Sequence, residues 1–373
     1  MRAIWLMLLL TGSALLEALA TSLEAQSAPT AENVVLIMID GVRWQEVFGG
    51  AEAMLLAGED GGVGSSDTSS LRQEFWRDSA AERRRVLMPF LWGTVASEGA
   101  IYGNPDLGSH ARVENPMWFS YPGYNEALAG FPDSTITSNN APANANVTVF
   151  EWLSHRPGFG GRVAAFGTWD AFPRIFNRER AGFPIFAAWE PPFDSATAAP
   201  EEQVINGLYR SMYREWDDLA WDGLMHQAVL TWVRSHRPRA LFVGFGESDV
   251  WAHGRHYDRY LRSVQTADAM IAELWHTMQS MPEYRGRTTF IITTDHGRGF
   301  GSDWTDHGRE VDGADRIWLA MLGPGAPARG EVRGGSAVTQ SQIASTVAAL
   351  LGEDFRAAVP RARPSLPPVV ARP

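Results

Sequence analysis

Three stretches of the chain are continuously apolar and each runs, directly or almost directly, into a carboxylate. They are NVVLIMID (33–40), RALFVGFGESD (239–249) and RTTFIITTDH (287–296). Runs of Val, Ile, Phe and Thr without polar alternation are the pattern of strands covered by helices on both faces. In an open parallel sheet, functional groups gather beyond the carboxyl ends of the strands. Asp40, Asp249 and Asp295 can therefore converge although they are remote in sequence. GRVAAFG (161–167) and RIWLAMLG (316–323) are predicted as further strands.

Helical periodicity fills the gaps. Between Tyr257 and Met281 the apolar set Tyr260, Val264, Ala267, Ile271, Leu274 and Met278 recurs at alternating spacings of four and three, which makes one amphipathic helix face. QSQIASTVAALLG places Ile343, Val347, Leu350 and Leu351 on one side, with Gly352 as the stop. Alternation of strands and helices implies an α/β fold with a mostly parallel central sheet flanked by helices on both faces. Residues 131–239 differ in texture, carrying WDAFPRIF and FPIFAAWEPPF between shorter periodic pieces. They either form a cap inserted beside the site or complete the same domain. Residues 51–70, rich in Gly, Ser and Asp, read as a mobile loop, and 360–373 as an extended Pro/Arg-rich tail.

Composition narrows the function classes. A 373-residue chain with 45% hydrophobic and 11% aromatic residues has ample core material for one large domain, here 29–359. A formal charge of −11 argues against a nucleic-acid-binding surface, which needs clustered basic residues. All 32 basic residues are Arg. The first 28 residues join one Arg, an apolar run from Ala3 to Leu10 and small residues near Ala18–Ala20 and Ser27–Ala28, a secretory signal pattern that predicts a secreted or periplasmic protein. That run is broken by Thr11, Gly12, Ser13 and Glu17, too short and polar for a stable membrane span. The absence of Cys restricts any metal site to His, carboxylate and hydroxyl ligands.

The densest chemistry is TTDHGRGFGSDWTDHG (293–308), which sets Asp295 and His296 at a strand end and His307 beyond a Gly-rich loop. Carboxylates and neutral imidazoles together suit zinc and similar divalent ions. ESDVWAHG puts Asp249 and His253 four residues apart, on one face if a helical turn forms there. With Asp40, every strand-end carboxylate then has a place in a single site.

These pieces, in their order, resemble the alkaline phosphatase superfamily, nearest its nucleotide pyrophosphatase/phosphodiesterase-like branch. The matching residues are the first-strand aspartate of LIMIDG, a hydroxyl loop, SDVWAHG, TTDHGRG and a late TDHG, together spanning 33–308. The resemblance implies a hydroxyl nucleophile between two divalent ions, commonly Zn2+. Ser120, followed by Tyr121-Pro122, stands in the nucleophile's place. One ion would be held by Asp249, His253 and His307, the other by Asp40, Asp295, His296 and Ser120. Where that branch carries an Asn contacting the phosphoryl oxygens, position 123 is Gly and Asn125 is nearest. Asn115 and the backbone N–H after Ser120 are further candidates.

The implied activity is an exported two-metal phosphodiesterase or phosphatase acting on a small phosphoester through a phosphoseryl intermediate. A sulfatase of the same superfamily is the alternative, although its x-Pro-x-Arg pattern is broken by Tyr124. A non-catalytic secreted binding protein on this scaffold would be expected to lack ligands, and all six metal-type residues plus a hydroxyl are present.

Overall fold

The computed structural model describes residues 30–63 and 67–366; the segment read as a signal and the end of the tail lie outside them. The strands are β1 (Asn33–Ile39), β2 (Ala100–Tyr102), β3 (Ala111–Arg112), β4 (Val163–Gly167), β5 (Ile185–Ala187), β6 (Ala240–Phe245), β7 (Thr288–Thr293), β8 (Arg316–Ile317), β9 (Leu319–Leu322), β10 (Gly330–Glu331) and β11 (Val338–Thr339). Eight of them form one sheet in the order β10-β2-β9-β7-β1-β6-β4-β5, and β11-β3-β8 form a small second sheet. In the large sheet only β9 runs against its neighbours.

The three acid-tipped runs are its adjacent central strands β7, β1 and β6, every residue of which is buried. Alternate side chains of β1 enter different cores. Val35, Ile37 and Ile39 pack into one, Val34, Leu36 and Met38 into the other. Each such side chain stabilises the fold by roughly 1.5–3 kcal/mol relative to exposure. The first core is closed by helices Asp222–His236 and Tyr257–Ser280, with Tyr260, Val264, Ala267, Ile271, Leu274 and Met278 all buried. The second is closed by helices Ser120–Ala129 and Ile343–Leu350.

Residues 131–239 contribute β4 and β5 to the large sheet, where they extend the β6 edge in parallel. The single strand expected over 316–323 is split. β8 belongs to the small sheet and β9 to the large one, because buried Trp318 turns between them and its indole N–H donates to the Val42 carbonyl at 3.1 Å. The loop expected over 51–70 carries a short helix, Ala53–Ala57, since Leu55 and Leu56 are apolar enough to be buried beneath the polar residues around them. The described start of the tail is irregular but anchored. Ala362 and Leu366 are buried, and Arg363 pairs with Glu114 at 2.8 Å. No helix among the described residues is long and apolar enough to cross a membrane.

Candidate active site

Asp40 follows β1, Asp295 lies two residues beyond β7, and Asp249 sits in the Glu247–His253 helix that follows β6. Parallel adjacency of these strands brings their carboxylates to one end of the sheet, with His296 between them. His296 Nε2 lies 3.3 Å from Asp40 Oδ1, 3.4 Å from Asp295 Oδ2 and 3.8 Å from Asp249 Oδ1. Its other nitrogen, Nδ1, is bound at 2.9 Å to the Gly297 carbonyl, which fixes Nδ1 as the protonated position and turns Nε2 toward the acids. His253 Nε2 is 3.3 Å from Asp249 Oδ2, the i, i+4 pairing that the helix dictates, and 2.9 Å from His307 Nε2.

Ser120 opens the Ser120–Ala129 helix and is 5% exposed, with Oγ 3.4 Å from His296 Nε2. Gly123 explains how the helix comes so close. A Cβ at that position would stand 2.3 Å from the Asp295 carbonyl oxygen, so only glycine lets the two backbones meet. One turn after Ser120, the Tyr124 hydroxyl donates to Asp40 Oδ2 at 3.1 Å. Sequence reasoning missed Tyr124; its i+4 spacing from Ser120 was the available signal.

The electrostatics call for a cation. Burial, then the neighbouring carboxylates Asp295 and Asp249, push the Asp40 carboxyl well up, and burial also raises Asp295. Burial opposes the charged form of His296, but Asp295, Asp40 and Asp249 outweigh it and raise its pKa to about 9. Burial, then His296, hold His307 well below the ordinary imidazole range. Among the described residues no hydrogen-bond donor in good geometry serves Asp40 Oδ1 or Asp295 Oδ2, although both are buried. Buried carboxylates crowded around one imidazole are costly unless an ion collects them. Asp40, Asp295 and His296 present ligand atoms within 4.8 Å of one another, and so do Asp249, His296 and His307. The donors therefore fit divalent ions. The first cluster joins three of the four residues expected to share an ion, with Ser120 Oγ 3.4 Å from His296 Nε2. In the second, His296 faces the pair Asp249 and His307, with His253 alongside.

Other expected contacts are placed elsewhere. Asn125 is fully buried away from the cleft, its Oδ1 accepting from Asn144 and Asn146 at 3.1 and 3.0 Å and its Nδ2 donating to the Phe131 carbonyl. Asn115 donates to Glu126 and accepts from the N–H groups of Met117 and Trp118, shaping the loop that leads to Ser120. The Tyr121 N–H is bound to Asn139 Oδ1 at 2.9 Å. Asn139 itself lines a cleft of about 410 Å³ together with Ser120, Asp40, Asp249 and His253. Its outer wall is Asn140, Trp169, Asp170, Arg174, Asp218 and Leu219. The Arg174 guanidinium donates to the Asn139 carbonyl at 3.3 Å, and its Nε has no acceptor among the described residues.

No protein-family model and no curated protein sequence matches the chain. Solved structures do. A protein of the alkaline phosphatase superfamily from Vibrio parahaemolyticus superposes with a TM-score of 0.53 at 13% identity, over 88% of this chain and 69% of that one. The chain shares its fold with that protein. A 2-O GAG sulfatase superposes with a TM-score of 0.57 at 14% identity, over 91% of this chain and 74% of that one. The phosphonate monoester hydrolase of Agrobacterium radiobacter gives 0.53 at 13% identity, over 91% and 78%. In this fold the ends of the three central strands bring Asp40, Asp249 and Asp295 around His296.

Proposed function

We propose that the protein is an exported, metal-dependent phosphoester hydrolase, a phosphatase or phosphodiesterase, in which Ser120 is the nucleophile. The observation that carries this reading is the placement of Ser120 Oγ at 3.4 Å from His296 Nε2, inside a cluster of buried carboxylates and imidazoles. Asp40, Asp295, His296 and Ser120 would hold one divalent ion, and Asp249, His253 and His307 the other. Zn2+ suits these donors. Bound ions would lower the pKa of the serine hydroxyl and neutralise charge on the phosphoryl oxygens.

The chain's own residues supply the rest. The Ser120 helix is pinned by Gly123 against the Asp295 backbone, so Oγ is held in one place at the floor of the cleft. Attack by Oγ on phosphorus forms a phosphoseryl ester as the bond to the leaving oxygen breaks, and water then releases inorganic phosphate or a monoester. Arg174 and the amides of Asn139 and Asn140, which line the cleft, offer N–H donors to non-bridging oxygens.

The test is hydrolysis of an aryl phosphate monoester and an aryl phosphodiester by the purified chain. Turnover should be abolished by chelator, restored by Zn2+ and lost in Ser120→Ala. Full metal-dependent turnover by that variant would refute the nucleophile assignment. The similarity in fold to a sulfatase favours one alternative, sulfate ester hydrolysis, which needs Ser120 converted to formylglycine. An unmodified Ser120 peptide by mass spectrometry would exclude that route.

A further inference from the structure

The geometry points to Arg298 as a built-in cation on one of the metal ligands, dividing the donor cluster into a tight and a weak ion site. The inference rests on the metal reading given above. Arg298 is fully buried. Its Nη2 donates to the Asp249 carbonyl at 3.1 Å and forms a close ion pair with Asp249 Oδ1, while Nη1 donates to the Thr305 carbonyl. The chain is shaped around this pair. Gly41 has φ +61°, and a Cβ there would stand 2.8 Å from both Arg298 Nε and Asp249 Oδ1.

The two clusters are consequently unequal. Asp40 Oδ1 and Asp295 Oδ2 are buried and without a hydrogen bond in good geometry among the described residues, and the nitrogen that approaches both, His296 Nε2 at 3.3 and 3.4 Å, is itself a candidate ligand. Asp249 is the only carboxylate of the other cluster, and one of its oxygens already carries a guanidinium. Hydrogen bonds to a ligand carboxylate ordinarily orient it without cancelling its charge. A full positive charge in contact with the ligand instead withdraws electron density from it and repels an incoming divalent ion across a water-poor site. The first ion therefore enters at Asp40, Asp295 and His296, and the Asp249, His253 and His307 side fills only at higher metal concentration.

Calorimetric titration of the metal-stripped full chain with Zn2+ alone, with bound metal counted by mass spectrometry, tests this. Wild type should show two events at least tenfold apart in affinity. Asp40→Asn should remove the tighter one and leave the weaker. Arg298→Met, which keeps the stem and loses the charge, should narrow the gap at least tenfold by tightening the second event. Two ions of equal affinity in wild type would overturn the inference whether or not Arg298→Met folds, and so would an unchanged gap in a folded Arg298→Met. Both results would leave the metal reading standing. Binding of no ion at either site would overturn both.

Discussion

The Tyr124 hydroxyl donates to Asp40 Oδ2 at 3.1 Å from the same helix that presents Ser120, so nucleophile and ligand are aligned by one rigid element. Burial, then the charge of Asp40, hold this phenol well above its ordinary pKa, and it remains a donor at any physiological pH. Partners that orient a ligand commonly matter by 10- to 100-fold. Tyr124→Phe should therefore weaken Zn2+ binding about tenfold while leaving the fold intact, because the ring stays packed on Phe172 and Phe242. Metal titration beside a melting curve measures both; unchanged affinity would show the hydroxyl to be idle.

Gly123→Ala sets helix propensity against close approach. Alanine in a helix is favoured over glycine by about 1 kcal/mol. At position 123, however, its Cβ would lie 2.3 Å from the Asp295 carbonyl oxygen, and both neighbours are backbone that cannot swing aside. The helix must shift, and a displacement near 1 Å at a reacting atom costs on the order of 100-fold in rate. Gly207→Ala, also within a helix but with open space around the new carbon, should instead be neutral or slightly stabilising. If kcat/KM in Gly123→Ala stayed within threefold of wild type, the contact would not be what fixes Ser120.

Glu126, on the same helix, accepts from the N–H groups of Glu114 and Asn115, from Asn115 Nδ2 and from Ser341 Oγ, all within 3.0 Å. Its side chain is fully buried. Glu126→Ala would leave these donors unsatisfied, and each such group costs about 1–3 kcal/mol. A loss of roughly 3 kcal/mol or more is expected in urea unfolding. The loop carrying Trp118, which stands at φ +54°, should be the first part to lose protection from hydrogen exchange.

Arg174 tests the cleft rather than the catalytic centre. A hydrogen bond from a charged donor is worth about 1.5–3 kcal/mol, or about 10- to 100-fold. Arg174→Ala should lower kcat/KM by that factor toward a phosphate monoester and weaken product inhibition by inorganic phosphate in parallel. Unaltered phosphate inhibition would remove Arg174 from the substrate contacts.

Much of this was legible because strand-end acids are announced by local sequence. The runs ending at Asp40 and Asp295, and the Asp249/His253 spacing, carry their own geometry. That Tyr124 meets Asp40 and Arg298 meets Asp249 was not legible, since each pairing depends on which strands lie side by side, a long-range fact. Asn125 was misplaced for the opposite reason. Proximity to Ser120 in sequence suggested proximity to the cleft, but helical rotation turns position 125 into a buried amide cluster with Asn144 and Asn146. The residues that do reach the cleft, Asn139 in a later loop and Arg174 in the short Phe172–Ile175 helix, are held by Tyr121, whose N–H binds Asn139 and whose hydroxyl binds the Arg174 carbonyl.

Asp268, in the Tyr257–Ser280 helix and in neither donor cluster, gives the fold a pH dependence of its own. Burial pushes its carboxyl up to about 7, against the opposing effect of the Phe90 and Leu91 N–H groups that it accepts at 2.7 and 2.9 Å. In the unfolded chain an aspartate titrates near 3.9. Between about pH 4 and 7 the native state therefore holds a proton that the unfolded state has lost, and stability falls as pH rises through that window. The slope reaches at most about 1.4 kcal/mol per pH unit from this group and vanishes above about 7, where both states are ionised. Asp268→Asn should cost stability at low pH, because one backbone N–H loses its acceptor, yet it should remove this part of the slope. Urea midpoints measured from pH 5 to 8 on both proteins decide the matter. Parallel curves would mean that Asp268 is ionised in the native state throughout, with the two N–H groups outweighing burial.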